Sequence, residues 1–190
     1  MEKIKCYMLM ETESARLYVR RYSKSPGCSV SASGVHNKIE LISEDAKSVI
    51  SDIFESEKRK LVSCECGYKF KDDDPAVYSI IDVYSRSDTG ELVELRNADV
   101  GAMWFSDTYP WKGPDRKSLV VRTPGGDWPI DMQASNCDKK DDKTHKCWVR
   151  HGKPPEVTVD KNGNTCGAGA GSILIKGYHG FLRNGYLERC

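Results

Sequence analysis

Lys117-Ser118-Leu119-Val120-Val121-Arg122-Thr123-Pro124-Gly125-Gly126-Asp127-Trp128-Pro129-Ile130-Asp131-Met132 is the stretch on which the fold class turns. Lys117 to Arg122 carries the apolar and β-branched residues of a strand, Pro124-Gly125-Gly126 has turn chemistry, and Trp128 to Met132 leads back antiparallel. The same alternation of strand and turn runs outward in both directions. Towards the N-terminus, Val77 to Tyr84 reads as a strand, Ser87-Asp88-Thr89-Gly90 as its turn and Glu91 to Leu95 as the return. Towards the C-terminus, Glu156 to Asp160, Ser172 to Lys176, His179 to Leu182 and Tyr186 to Arg189 read as strands. Asp160-Lys161-Asn162-Gly163 and Arg183-Asn184-Gly185 supply turns between them. Ile4 to Leu9 and Ala15 to Tyr22 predict a hairpin across the polar segment Met10-Glu11-Thr12-Glu13-Ser14. Asn97 to Pro114, with Trp104, Phe105, Tyr109 and Trp111 among turn residues, predicts an aromatic packed loop.

One segment has a helical period. Ala46, Val49, Ile50, Ile53 and Phe54 repeat at the i, i+3, i+4, i+7, i+8 spacing and predict an amphipathic helix over residues 43–60. Ser43 is the expected N-cap, with Glu44 and Asp45 in the first turn and Lys58, Arg59 and Lys60 in the last, as the helix dipole favours. The fold class is therefore α+β: mostly antiparallel hairpins with one helix, stabilised by zinc. The acidic turn Asp72-Asp73-Asp74-Pro75 suggests a boundary. It divides a small α+β part, 1–72, from a mostly β part, 73–190, unless the two form one integrated domain.

Composition narrows the function. The chain has 190 residues, a formal net charge of +1 and 38% hydrophobic residues, and its mean hydropathy is −0.58. No apolar run approaches a membrane span, and the opening Met1-Glu2-Lys3-Ile4-Lys5-Cys6 lacks the apolar stretch of a secretory leader. The near-neutral charge argues against nucleic acid, whose binders present a strongly basic face.

Eight cysteines and four histidines carry the chemistry. Disulfide scaffolds are usually secreted and shorter than about 100 residues, whereas Cys/His sets in a reducing cytosol more often bind metal. Cys28-x7-His36 with Cys64-x-Cys66 supplies three thiolates and an imidazole, a normal tetrahedral zinc set. The glycine after Cys66 permits the tight backbone of a zinc knuckle. Cys137, Cys147, Cys166 and His179 form a second set, with His145 and His151 as spare imidazoles. In it, Cys137-x7-His145-x-Cys147 closes a charged loop that needs a metal or a disulfide at its base. Cys6, in an apolar run, reads as a small buried hydrophobe, and Cys190 as a free thiol.

A catalytic alternative rests on Thr165-Cys166-Gly167-Ala168-Gly169-Ala170-Gly171-Ser172 followed by His179. These could supply a thiol nucleophile, backbone N–H donors and a base, oriented by Asp131, Asn136 or Asp160. The aromatic loop could stack on a base or a sugar, although no basic patch adjoins it. Trp148-Val149-Arg150-His151-Gly152-Lys153-Pro154-Pro155 reads as a strand ending in a turn, or as an anion site.

Several strings together resemble a group of bacteriophage and bacterial proteins that have Cys/His motifs and no assigned activity. They include Arg20-Arg21-Tyr22, Cys66-Gly67-Tyr68, Gly101-Ala102-Met103-Trp104, Ala134-Ser135-Asn136-Cys137, His145-Lys146-Cys147-Trp148-Val149-Arg150-His151-Gly152 and Tyr178-His179-Gly180-Phe181-Leu182. The first cysteine pair of that group is usually C-x-x-C, one residue longer than Cys64-x-Cys66. The resemblance implies the cytoplasm of a bacterial host cell and no particular reaction. The leading expectation is a small soluble protein with one or two structural zinc ions that binds a protein or a small ligand. The alternative is a hydrolase, either a Cys166/His179 thiol enzyme or a zinc enzyme with a metal-bound water.

Overall fold

The computed structural model describes residues 3–57, 60–134, 136–142, 145–161, 166–168 and 171–190. Lys58 and Arg59 of the basic triplet, Asn162-Gly163 of one expected turn, and Thr165, Gly169 and Ala170 of the glycine loop lie outside the described residues. In chain order the elements are β1 (Lys3–Lys5), β2 (Tyr7–Pro26), β3 (Val35–Ala46), α1 (Lys47–Ser56), β4 (Ala76–Arg86), β5 (Leu92–Glu94) and β6 (Ala102–Ser106). There follow β7 (Ser118–Thr123), β8 (Gly126–Pro129), β9 (Val149–Lys153), β10 (Glu156–Asp160), β11 (Ile173–Ile175), β12 (Tyr178–Arg183) and β13 (Tyr186–Arg189). Strands dominate, pairings are mostly antiparallel, and α1 is the single α-helix among the described residues. This agrees with the α+β expectation.

The expected N-terminal hairpin does not form. Met10 to Ser14 continues as extended chain, and β2 runs unbroken through it. The segment is polar but contains no glycine, proline or asparagine to force a turn, and Thr12 Oγ1 donates to the Val83 carbonyl at 2.5 Å. Alternation along β2 buries Ala15, Leu17, Val19, Arg21 and Ser23 on one face, the period-two signature of a half-buried strand.

The helix also starts later than its apolar period suggests. Ser43, Glu44, Asp45 and Ala46 pair with Leu17, Arg16, Ala15 and Ser14 as the last residues of β3. Glu44 is ion-paired with Arg16 at 2.5 Å. Ser43 is therefore no N-cap; Ala46 stands at that position without a side-chain cap. The ladder to β2 satisfies backbone groups that an extra helical turn would have to satisfy again. The apolar positions survive the shift: Ile50 is fully buried, and Ile53 packs with it against Ala15 and Leu17.

Contacts divide the chain into two units, Met1–Met10 with Ser85–Cys190, and Glu11–Tyr84. The division thus falls at 10/11 and 84/85 and not at 72/73. The first residues join the C-terminal unit because β1 pairs with β13, Lys3 opposite Glu188, and Tyr7 and Met8 run parallel to Ala102 and Met103. Residues 61–74 stay with the other unit because Arg21, only 5% exposed, donates to the carbonyls of Leu61 at 2.8 Å, Asp74 at 3.3 Å and Lys71.

In the larger unit, β1-β13-β12-β11 form one sheet and β9-β10 a hairpin, while β6, β7 and β8 form a meander. Part of the expected aromatic loop is thus the strand β6, with Met103 opposite Val121 and Phe105 opposite Leu119. Gly101 makes this possible. It sits at φ +98°, and a Cβ there would lie 2.7 Å from the Lys5 carbonyl oxygen. The core holds Met103, Leu119, Val121, Ile130, Ile173 and Leu182, all fully buried. At roughly 1.5–3 kcal/mol for each large apolar side chain, this cluster is the main source of stability in the unit. In the smaller unit β2 lies between β3 and β4.

Candidate metal centres

The first centre belongs to the unit Glu11–Tyr84. The loop after β2 is closed by hydrogen bonds from the Gly27 and Cys28 N–H groups to the Gly34 carbonyl, at 3.0 and 2.9 Å. That closure brings Cys28 back beside His36 on β3. The His36 ring stacks on Tyr68 at 3.9 Å between centroids and 7° between planes. Cys64 and Cys66 lie on a tight turn in which Cys64 N–H donates to Tyr68 O at 2.9 Å and Gly67 N–H to Cys64 O at 3.0 Å. Gly67 takes φ +90°, a left-handed conformation that side chains disfavour. Cys28 Sγ lies 3.7 Å from Cys64 Sγ, and His36 Nδ1 lies 3.2 Å from Cys66 Sγ. All four donor atoms fall within 4.8 Å of one another.

These distances discriminate between chemistries. A disulfide needs about 2.05 Å between sulfurs, far less than 3.7 Å. Sulfurs at about 2.3 Å from a tetrahedral zinc would stand about 3.8 Å apart, and a ligating nitrogen about 3.6 Å from a sulfur. The Cys28–Cys64 edge of 3.7 Å matches that of a tetrahedron, and the His36–Cys66 edge of 3.2 Å is shorter. The Cys66 backbone N–H, aimed at Cys64, is the main influence bringing the Cys64 thiol down to about 6. Cys66 moves up, because burial and the thiols of Cys64 and Cys28 together outweigh the Tyr68 N–H that favours its anion.

The second centre belongs to the other unit and collects Cys137, His145, Cys147 and Cys166, again with all donor atoms within 4.8 Å. Backbone N–H groups turn towards its sulfurs: Ala134 N–H donates to Cys147 Sγ at 3.1 Å and Lys139 N–H to Cys137 Sγ at 3.3 Å. Gln133 Nε2 ties the loop by donating to the carbonyls of Asp142 at 2.6 Å and His145 at 2.9 Å. Lys161 Nζ donates to Cys166 O at 2.7 Å and stands 3.6 Å from its Sγ. His145 Nε2 is buried without a hydrogen-bond partner among the described residues. One ring nitrogen of His145 lies within 4.8 Å of the three sulfurs, so the imidazole completes a set of four groups able to share a cation. Burial drives the Cys147 thiol up to about 12. Burial also opposes the Cys166 anion, but His145, the Ala168 N–H, the Cys147 thiol and the Lys161 ammonium outweigh it and bring Cys166 down to about 6.

The structure thus assembles Cys28, His36, Cys64 and Cys66 as one set and Cys137, Cys147 and Cys166 as part of another. It does not bring His179 to the second set. His179 is opposite Leu174 in the β11-β12 ladder, with its side chain on the exposed side. His145 takes the expected place of His179. The Cys166/His179 pair of the hydrolase alternative consequently does not meet, and the imidazole beside Cys166 is a neighbour within a four-donor cluster. The signal for His145 was available: Cys137-x7-His145 repeats the spacing of Cys28-x7-His36. His151 is exposed and paired with Asp160 at 2.9 Å. Asp131 serves Arg150 and the Leu119 N–H and orients no histidine. Cys6 is buried as expected, with burial pushing its thiol up to about 12. Sequence reasoning missed Lys161, since nothing local marks a lysine five residues before a cysteine as its partner.

No known family model, curated protein or solved structure matches this chain. The geometry alone defines the class: a mostly β protein of two units, each with a four-donor Cys/His cluster that could hold a metal ion. No helix among the described residues is long and apolar enough to cross a membrane.

Proposed function

We propose that the protein is stabilised by two structural zinc ions, each held by three thiolates and one imidazole, and that it acts by binding a protein or a small ligand. The observation that carries this reading is the convergence of four soft donors within 4.8 Å in each unit, with Cys28 and Cys64 in the first centre separated by 3.7 Å, close to a tetrahedral edge. Sulfur-rich tetrahedral sets favour zinc over the hard cations, which prefer oxygen ligands. Four protein ligands leave no open position for water, the arrangement of structural sites. Zinc bound there supplies folding free energy. Three thiolates around a dication leave one negative charge, and Lys161 is placed to neutralise it in the second centre. The cytoplasm of a bacterial host, the setting implied by the sequence resemblance, would keep the thiols reduced and available.

The test is elemental mass spectrometry of the full untagged chain purified without chelator, with thiols counted before and after denaturation in chelator. Two zinc ions per chain, with ligand thiols that react only after chelation, are expected. A zinc-free folded protein, or thiols consumed as disulfides, would overturn the reading.

A further inference from the structure

Beside the second centre lies a recess of about 750 Å³, the size of a small-molecule site. Tyr109, Trp111, Trp128, Trp148, Met132 and Leu174 give it an aromatic and apolar lining. Trp128 and Trp148 are buried and 5.6 Å apart between ring centroids, forming a firm floor. The Trp148 indole N–H is already committed to the Ile130 carbonyl at 2.7 Å. Tyr109 and Trp111 are only half-buried, and Leu174 is 78% exposed. Folding therefore leaves flat aromatic surface and an aliphatic rim open to a ligand.

Polar groups limit what that ligand is. Asn136, Ser172 and Asp127 also line the recess, and among the described residues no lysine, arginine or histidine does. The single carboxylate is matched by Arg122, at 2.8 Å between Nε and Oδ1. A phosphate-bearing ligand would find no cation among the described lining residues and would meet the Asp127 carboxylate, which disfavours nucleotides and nucleic acid strands. A purely aliphatic ligand would bury the amide and the hydroxyl without partners, at a cost. A neutral sugar offers a flat C–H face for the aromatic rings and hydroxyls for the amide, hydroxyl and carboxylate. We infer that this recess binds a neutral sugar ring of a glycan, laid on Trp111 and Tyr109 and oriented by Asn136, Ser172 and Asp127.

The recess is also continuous with the metal cluster. Ala134, in its wall, donates to Cys147 Sγ; Asn136 precedes Cys137 and Trp148 follows Cys147. The sugar site deepens the proposed zinc-stabilised binding protein and rests on that reading for the rigidity of this wall. Its chemistry resides in the lining residues, so the two can be tested apart.

The experiment is a neutral-glycan array probed with the full chain, followed by calorimetry with the best oligosaccharide, with zinc content measured on the same sample. Binding is expected, with Trp111→Ala and Asn136→Ala each weakening it about tenfold or more while zinc content and near-UV circular dichroism stay unchanged. Two variants are used because removal of Trp111 alone could disturb packing. The sugar site is overturned if no neutral glycan binds, if binding is indifferent to both variants, or if decaproline binds with the same dependence on Trp111 in place of glycans. Glycan binding by a zinc-free chain would retain the site and sink the zinc reading. A chain with two zinc ions and no glycan binding would do the reverse.

Discussion

Replacing Arg21 by alanine tests how the first Cys/His cluster is held. The guanidinium is buried in the smaller unit and donates to Leu61 O, Lys71 O and Asp74 O, three carbonyls that bracket the turn bearing Cys64 and Cys66. It also lies 5.5 Å from the centre of the Phe70 ring. Leu61 is 6% exposed, so its carbonyl would lose its donor without gaining water, which costs about 1–3 kcal/mol. Lys71 is exposed and Asp74 half-buried; their carbonyls rehydrate, each at a net loss of about 1 kcal/mol. Loss of the stacked cation adds about 0.5–1 kcal/mol. The sum is about 3.5–6 kcal/mol, a large fraction of the roughly 5–15 kcal/mol that stabilises a domain. Hydrogen exchange read by mass spectrometry should show residues 61–74 losing protection in Arg21→Ala, with loss of one metal ion per chain. Arg21→Lys, which keeps the charge and can reach one carbonyl, should fall about midway. Wild-type protection of residues 61–74 together with full metal content in Arg21→Ala would refute the clamp.

Cys66→Ser should remove one of two zinc ions and Cys147→Ser the other, read as metal per chain. Cys147 is fully buried, so that variant should also lose soluble protein, because the serine hydroxyl enters the core without its metal. Cys6 predicts the alkaline limb. Its thiol is pushed up to about 12 from an ordinary 9.0, so its contribution is complete below pH 9 and is lost as pH rises towards 12, at about 1.4 kcal/mol per pH unit. Urea midpoints between pH 8.5 and 10.5 should therefore fall less steeply in Cys6→Ala than in the native chain. Arg150 and Asp131 form a pair in which both side chains are 3% exposed. Arg150→Met strands a buried carboxyl already raised by burial and should cost about 3–5 kcal/mol. Asp131→Asn should cost less, because Asp115 still holds Arg150 at 2.7 Å. Equal urea midpoints for the two variants would count against this ranking.

Much of the β architecture was legible because its signals are local. The hairpin from Ser118 to Pro129 needs only the apolar and β-branched residues of β7, a proline-glycine turn and the returning Trp128, and β10, β12 and β13 lie within a residue or two of their expected bounds. The early elements were less legible. Met10 to Ser14 looked like a turn on polarity alone, and Ser43-Glu44-Asp45 like a helix cap on residue type alone. In both places strand partners distant in sequence determined the conformation, and no local window contains those partners.

The Cys/His clusters divide in the same way. Seven of the eight Cys and His residues that the structure gathers into the two clusters were named from residue type and spacing, because close thiols and imidazoles commonly act as a set. The eighth was a choice between His145, in the Cys137-x7-His145-x-Cys147 string, and His179, which follows the glycine loop after Cys166. The sequence by itself determined a mostly β chain with two Cys/His sets and a near-neutral surface charge. Only the tertiary structure decided that His179 faces out from β12 while His145 is drawn in beside three sulfurs, and that an aromatic recess adjoins them. Ladder register and burial set where each side chain points, and both depend on contacts between residues far apart in the sequence.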